Sequence, residues 1–438
     1  MILPEYVLEC LDALEKAGFA AYCVGGCVRD TCLGLTPHDY DICTAALPEQ
    51  TEAVFSHRKL VLAGKKHGTV GVVFEKEVVE ITTFRTEGAY RDNRHPDWVE
   101  FVPEVEADLA RRDFTVNAMA YSPRRGFADP FGGREDLERK VLRAVGDPQL
   151  RFREDSLRIL RGLRFSARYD LTIEEKTWQA MLSEKHLMDN LARERVFEEL
   201  CGLLASVTSA REVVSCGPIL GAVIPELEPM IGFDQHSPHH AYDVFTHTAH
   251  VVAAVPADLT LRWAALLHDV GKVPTFTQDA TGRGHFYGHA GAGAEMADGI
   301  LRRLKAPTAL RERAVFLIEK HMTKLEPEKK VLRRWLGRLG EETIEQLLLL
   351  QEADMGSKGT GKPEELNQFS RIREGLEEIR AENACLSLKD LAVNGHDLMA
   401  LGIQGKAIGE TLQQLLEQVI DETLPNEKKA LLHYLKEK

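Results

Sequence analysis

The sequence predicts an α/β head built on a small mixed sheet with helices, followed by a remainder that is helical throughout. Three observations lead there. Up to about residue 145, β-rich runs alternate with segments of helical period. From Asp147 onward strand signals nearly vanish, and the windows 154–168, 193–206, 244–255, 259–268, 291–304 and 408–420 repeat apolar residues three and four apart. The 438 residues exceed one ordinary core, and 44% hydrophobic residues suffice for several packed units.

In chain order, the head starts with a helix near Pro4 to Ala17, a strand near Ala20 to Val24, a helix from Val28 and a strand around Tyr40 to Cys43. Thr69 to Phe74 and Val78 to Phe84 are β-rich, with Glu75 and Lys76 near the turn, and read as a hairpin that completes the sheet. Weak seams fall near Gly217-Pro218, Gln235 to His240 and Gly356 to Pro363.

No apolar stretch approaches the roughly 18 to 20 residues of a membrane span, and Met-Ile-Leu-Pro-Glu at the start lacks the character of a signal peptide. No membrane role is expected, and the expected compartment is the cytoplasm. Five of eight cysteines lie between Cys10 and Cys43 without a C-x-x-C pair, which suits buried thiols better than zinc ligands or disulfides. A net charge of −13 argues against indiscriminate nucleic-acid binding. Local basicity is nevertheless present, because Arg143, Arg151, Arg153, Arg158, Arg161, Arg164 and Arg168 crowd one stretch.

Two features of the head carry chemistry. Gly25 and Gly26, in Val-Gly-Gly-Cys-Val-Arg-Asp, stand between an expected strand and helix, where bare backbone N–H groups can meet phosphate oxygens and Arg29 can grip the same anion. Thirteen residues on, Asp39 and Asp41 are two apart, so their carboxylates leave one face of a strand. Such a pair suits hard cations: Mg²⁺ held there would activate an attacking 3′-hydroxyl and steady a leaving pyrophosphate. Taken singly, the first is ordinary turn geometry and the second an ordinary strand edge. Glu80 on the hairpin offers a third carboxylate, though an exposed strand glutamate is commonplace.

The combination of G-G-x-V-R-D and D-x-D resembles the head of the class II tRNA nucleotidyltransferase and bacterial poly(A) polymerase family. Arg111-Arg112-Asp113-Phe114-Thr115-Val116-Asn117-Ala118 matches that family's R-R-D-F-T-x-N-A box, and Glu154-Asp155 through Arg158, Arg161, Arg164 and Phe165 resembles its neck motif. The resemblance implies catalytic Asp39 and Asp41. It also implies nucleotide contacts from Gly25, Gly26, Arg29, Arg112, Asp113, Asn117, Asp155, Arg158, Arg161 and Arg164. On a helix advancing about 100° per residue, Asp155 and Arg158 stand one turn apart on a polar face, opposite Ile159, Leu160, Leu163 and Ala167. An accepting Asp beside a donating Arg fits the amine and bare ring nitrogen of cytosine and adenine. Uracil or guanine would leave desolvated groups unpaired at about 1 to 3 kcal/mol each. The implied substrates are therefore CTP, ATP and the 3′ end of tRNA. Thr83 to Pro96 looks like the flexible loop of family members that add the terminal A.

Nine of sixteen histidines lie between His236 and His321. His247, then His268-Asp269, then Asp354 resemble the H…HD…D pattern of HD-domain metal phosphohydrolases, which implies those four as ligands of Mn, Fe, Ni, Co or Mg, with His289 and His321 available to a second metal. His236, His239, His240, His250 and His285 read as loop or capping residues. The expected division is a nucleotidyltransferase head at 1–145, a helical neck and body at 146–235, an HD domain at 236–355 and a helical tail at 356–438. The rival readings are a poly(A) polymerase, against which the acidic tail argues, and a regulatory protein-modifying nucleotidyltransferase with an HD hydrolase. Oligomeric state is not legible in the sequence.

Overall fold

The computed structural model describes residues 1–75, 77–87, 99–238, 240–360, 363–382 and 384–437. The chain divides into two compact units. The first comprises Met1–Thr208, Ser215–Glu228 and Arg303–Lys305, and the second Ser209–Val214, Pro229–Arg302 and Ala306–Lys438.

The first unit opens with helix α1 (Glu5–Lys16), whose Val7, Cys10, Leu11 and Leu14 recur at helical spacing and are buried, with Glu5 and Lys16 complementing the helix dipole. Strand β1 (Ala21–Val24), helix α2 (Gly26–Cys32), strand β2 (Ile42–Thr44) and helix α3 (Pro48–Val54) follow. Next come β3 (Leu60–Val61), β4 (Thr69–Val73), β5 (Val78–Thr83), β6 (Arg85–Glu87), β7 (Val99–Phe101), α4 (Val105–Ala110), β8 (Ala120–Ser122), β9 (Gly126–Ala128), α5 (Gly133–Glu138) and β10 (Val141–Leu142). Among the described residues seven strands form the main sheet, in the order β3-β4-β5-β2-β1-β8-β9. Only β2 and β5 pair in parallel, so the sheet is mixed, as expected. Val24, Cys43, Phe84, Leu109, Ala118 and Val145 form one of its buried clusters. Each large side chain there contributes about 1.5 to 3 kcal/mol of apolar burial. The hairpin expected at 69–84 is present, and β6 with β7 forms a separate two-stranded ladder. Most of the expected A-adding loop lies outside the described residues, which omit 88–98.

The neck consists of α6 (Pro148–Glu154), α7 (Leu157–Tyr169), β11 (Thr172–Ile173), α8 (Glu175–Glu184) and α9 (Arg193–Ser206). The sequence suggested one continuous helix from Glu154. Instead Asp155 leaves helical geometry at φ −139°, ψ 102°, ending α6, and its carboxylate accepts from the Leu157 N–H 3.0 Å away in a local turn ahead of α7, whose N-cap is Ser156. Packing on α7 is close: a Cβ at Gly162 would run into Met181 and lie 2.9 Å from the Phe114 ring. The seam expected at Gly217-Pro218 is absent, because α10 (Ala210–Val223) runs through it with Pro218 inside the helix. Val213, Cys216, Ile219, Leu220 and Val223 bury that helix, and tertiary packing outweighs the proline.

The second unit is helical apart from a small hairpin. Its elements are α11 (Val244–Ala254), α12 (Leu259–Leu267), β12 (Thr277–Gln278), β13 (Gly284–His285), α13 (His289–Arg303), α14 (Thr308–Lys320), α15 (Lys329–Leu339), α16 (Glu341–Gly356), α17 (Pro363–Ala381), α18 (Gly395–Ala400), α19 (Lys406–Ile420) and α20 (Lys428–Glu437). Asp243 and Asp258 cap α11 and α12, accepting from backbone N–H groups of the first turn, at about 1 kcal/mol per cap. Trp263, Leu266, Leu267 and Ile318 are fully buried between these helices. A second cluster of Val393, Leu398, Leu415, Leu416, Ile420 and Leu431 closes the C-terminal helices. No helix among the described residues is long and apolar enough to cross a membrane. Of the five cysteines up to Cys43, four are buried and Cys32 is exposed.

Candidate functional sites

In the first unit Asp39 and Asp41 lie outside the strand on which both were expected, in the segment just before β2, which starts at Ile42; the Val24 N–H bonds the Asp41 carbonyl at 3.0 Å and ties Asp41 to β1. The parallel register sets Ile42 opposite Ile81 and thereby brings Glu80 beside Asp41. Loss of hydration, with the Asp39 and Glu80 carboxylates, pushes the Asp41 pKa up to about 6, while Arg112 pulls the other way. A cation beside Asp41 would relieve the repulsion from these two neighbouring carboxylates.

The glycine turn borders this group. Gly25 sits at φ 74°, a conformation for which only glycine is suited, and a Cβ there would lie 2.9 Å from Arg112 Nη1. Arg112 thus lies against bare backbone. It bonds Asp108 at 3.3 Å, and its buried Nε has no hydrogen-bond partner among the described residues. That unmet donor beside the turn suits an anion.

Arg29 takes a different place from the one the sequence suggested. Its guanidinium is buried, donates to Asp30 (2.8 Å), Asn117 (2.6 Å) and Tyr169 (2.5 Å), and lies 4.3 Å from the Tyr169 ring centre. It braces the turn from beneath. The bracing continues, because Asn117 donates to Asp113 (3.0 Å), and Asp113 accepts from Arg161 Nε (2.9 Å) and Nη2 (2.8 Å) on α7. Burial disfavours the Asp113 charge, yet Arg161, Asn117 and Arg158 outweigh it and hold the pKa at about 2.

The neck residues are brought close to one another with partners of their own. Asp155 faces Arg195 at 3.4 Å. Arg158 is buried, with Nη1 on Glu154 (2.9 Å) and the Arg151 carbonyl (3.2 Å), and Nη2 on the Arg111 carbonyl (3.0 Å). Arg164 pairs with Glu199 at 2.6 Å. The side-by-side helical placement of Asp155 and Arg158 inferred from spacing therefore does not hold, because α7 begins only after Asp155.

In the second unit the six sequence candidates converge. His247, His268 and Asp354 form one group of potential ligand atoms, and Asp269, His289 and His321 another, with all atoms of each group within 4.8 Å of one another. Five helices deliver them: His247 from α11, His268 at the end of α12, His289 from α13, His321 at the end of α14 and Asp354 from α16. Asp269 links the groups, 3.6 Å from His247 and 3.7 Å from His289.

The ring orientations show what the cluster suits. Nδ1 of His247, His268, His289 and His321 meets the carbonyls of Ser357 (3.3 Å), Ala265 (2.8 Å), Phe286 (2.8 Å) and Ile318 (2.6 Å). With Nδ1 carrying the proton, Nε2 of His289 and His321 presents a lone pair inward, whereas Nε2 of His247 faces the Asp354 carboxylate at 3.0 Å and Nε2 of His268 faces Asp269 at 3.1 Å. His289 Nε2 and His321 Nε2 face each other at 3.3 Å, and Asp269 Oδ2 lies 3.1 Å from His268 Nε2, so donors and carboxylate crowd one buried volume. Burial, with His268 adding to it, pushes His321 down to about 4, so it stands neutral at ordinary pH, the form that ligates a metal. These donors fit one or two divalent cations of mixed imidazole and carboxylate preference.

Two residues here escaped the sequence reading. Lys272, buried, sits 2.7 Å from Asp269 and 2.8 Å from the Gln235 amide oxygen. Its place three residues after Asp269 was the available signal. His240, set aside as a loop residue, lies with its ring 5.5 Å from that of His247. His239 lies outside the described residues.

A mixed sheet bearing clustered carboxylates against a glycine turn defines a nucleotidyltransferase head, and residues 21–143 match the family described as Poly A polymerase head domain. Residues 170–213 match "Probable RNA and SrmB- binding site of polymerase A", and 287–435 match "tRNA nucleotidyltransferase domain 2 putative". The chain is 31% identical over 430 residues to a CCA-adding enzyme of Bacillus velezensis, covering 98% of this chain and 96% of that one. It is 50% identical over 193 residues to a CCA-adding enzyme of Streptococcus uberis, 44% of this chain and 47% of the relative. The crystal structure of Bacillus stearothermophilus CCA-adding enzyme in complex with CTP superposes with a TM-score of 0.71 at 27% identity, over 100% of this chain and 98% of that one. The chain belongs to the CCA-adding enzyme family.

Proposed function

We propose that this protein adds CCA, or its terminal A, to the 3′ end of tRNA from CTP and ATP without a nucleic-acid template. It would carry in addition a metal-dependent phosphohydrolase centre. The observation that carries the first part is the set of three carboxylates, Asp39, Asp41 and Glu80, beside the Gly25 turn and Arg112. The naming of the relatives supports the same reading. Mg²⁺ bound at Asp39 and Asp41 would supply the positive charge that favours an ionised 3′-hydroxyl and a departing pyrophosphate. Arg112 and the Gly25-Gly26 backbone would hold the triphosphate. Asp113 and Asn117, tied to Arg29 and Arg161, would hold the ribose side of the site in place.

Base choice falls to Asp155 as acceptor and Arg158 as donor, with Arg161 and Arg164 fixing the helix that carries Arg158. An entering cytosine or adenine would take the positions now held by Arg195 on Asp155 and by Glu154 on Arg158. The working division is a head at 1–145, a neck and body at 146–235, the HD-type centre at 236–355 and a tail at 356–438. In the second centre His247, His268, Asp269 and Asp354 would hold one divalent cation, and His289 and His321 with Asp269 another. A divalent cation there would lower the pKa of a water and stabilise charge on a phosphoryl oxygen.

The test gives tRNAs ending before the first C, after CC and after CCA one labelled nucleotide at a time. Wild type should incorporate C, C and A in turn and ignore UTP and GTP. Asp41→Ala should abolish addition while leaving phosphomonoester hydrolysis intact, and His268→Ala should do the reverse. Addition surviving in Asp41→Ala would refute the head assignment. A purified wild type that holds no metal in the second unit and hydrolyses nothing would refute the second.

A further inference from the structure

The hairpin of β12 and β13 leads directly into the second centre and ends in an exposed aromatic pair. Tyr287 is 77% exposed, and its ring stacks on that of His285 at 5.2 Å and 8°. His285 is fixed in turn. Its Nε2 meets Asp279 at 2.8 Å, and the Tyr287 hydroxyl is 3.3 Å from Nδ1. Asp279 also accepts from the Thr281 and Arg283 N–H groups, so the tip is held by its own bonds.

The base of the hairpin is anchored on residues of the centre. The Gly284 N–H bonds the His236 carbonyl at 2.9 Å, and a Cβ at Gly284 would run into the Gln235 carbonyl. Gln235 is the residue whose side chain holds Lys272, and Lys272 Nζ lies 5.4 Å from the Phe286 ring centre. The Phe286 carbonyl bonds His289 Nδ1 at 2.8 Å. Tyr287 therefore follows a residue that orients one ligand candidate and precedes that ligand by two positions, which keeps it within roughly 7 Å along the chain.

We propose that Tyr287, backed by His285, is a base-stacking ledge that makes the second centre select a nucleoside phosphate, such as a terminal RNA nucleotide, over a bare sugar phosphate. The inference rests on the hydrolase reading of that centre. A flat, exposed ring with a parallel partner at its back offers one open face, and every nucleobase has a π-face to match. The Lys272 ammonium, paired with Asp269 and Gln235 and 5.4 Å from the Phe286 ring centre, ties the segment carrying Tyr287 to the centre.

The test uses the full chain loaded with Mn²⁺, with adenosine 3′-monophosphate and ribose 5-phosphate as substrates. Tyr287→Ala should raise KM for the nucleotide at least about fivefold with kcat nearly unchanged, and leave KM for ribose 5-phosphate as it was. Tyr287→Phe should behave as wild type. In Tyr287→Trp, adenosine 3′-monophosphate added to the chain should quench the new indole within seconds, whereas ribose 5-phosphate should not. An unchanged nucleotide KM in Tyr287→Ala, or an unquenched indole, overturns the ledge. If wild type hydrolyses neither compound, the hydrolase reading falls, and quenching alone then decides whether a base stacks on Tyr287.

Discussion

Replacing Asp113 by Asn tests whether the chain of bonds from Arg29 through Asn117 and Asp113 to Arg161 holds the head together. Asp113 is buried, with a pKa of about 2 against an ordinary 3.8. At about 1.36 kcal/mol per unit, that depression corresponds to roughly 2 kcal/mol of stability at neutral pH. The amide also leaves Arg161, whose side chain is 35% exposed, without its closest counter-charge, a loss smaller than the about 3 to 5 kcal/mol of breaking a fully buried pair. Asp113→Asn should therefore destabilise the first unit by between about 2 and 5 kcal/mol at pH 7. The sign with pH follows from the lowered pKa. Stability from a depressed carboxylate is fully present above the unfolded value and is lost as pH falls through the folded one. The gap between wild type and variant should stay constant from pH 7 to 5, begin to close below about 4, and narrow further towards pH 2. Denaturant titrations read by hydrogen exchange on peptides spanning 105–169 follow the first unit by itself, which two separate compact units require. A gap below about 1 kcal/mol at pH 7, or one that persists undiminished at pH 3, would refute the reasoning.

Two further outcomes follow from the two sites. Because burial and the Asp39 and Glu80 carboxylates push the Asp41 pKa up to about 6, protons would compete with a cation at the proposed head site, so Mg²⁺ affinity measured by calorimetry should be flat above pH 7 and fall by up to about tenfold per unit below 6; equal affinity at pH 5 and 7 would contradict it. Gly271→Ala should weaken divalent-cation binding at the proposed second centre, because a Cβ there runs into the His289 carbonyl and the Gly293 backbone and pushes the start of α13 off the turn that follows α12; elemental analysis of Mn²⁺-loaded protein showing wild-type content would contradict the close packing.

What the sequence could disclose was set by how locally each feature is encoded. Asp39 and Asp41 are legible as a pair because two carboxylates two apart in the chain need no distant contact to stand near one another, although the strand itself starts only at Ile42. Glu80 could not be promoted above an ordinary strand residue, because its neighbourhood depends on the parallel pairing of β2 with β5, a contact nearly forty residues away in sequence. The bend at Asp155 was hidden for a different reason. Apolar periodicity runs unbroken through the segment, and only the side-chain bond of Asp155 to the Leu157 N–H shows that the helix restarts. Arg29 read as a phosphate gripper from its place after the glycines, yet Tyr169, 140 residues on, claims its guanidinium. In the second unit the density of histidines was legible, and all six sequence candidates meet. Lys272 needed its two partners, Asp269 and Gln235, before it became distinct from any helix-end lysine.

The four carbonyl contacts behind the histidine rings have a consequence for loading. Each imidazole has surrendered its freedom to flip during folding, so the entropy of arranging the donors is already spent before any ion arrives. Such a socket adapts poorly. At the proposed centre, discrimination among cations of similar charge would then turn on radius and on the spacing that five helices impose. A substitution deep in α12 or α14, far from any donor atom, would alter which divalent cation the proposed centre favours by shifting a helix.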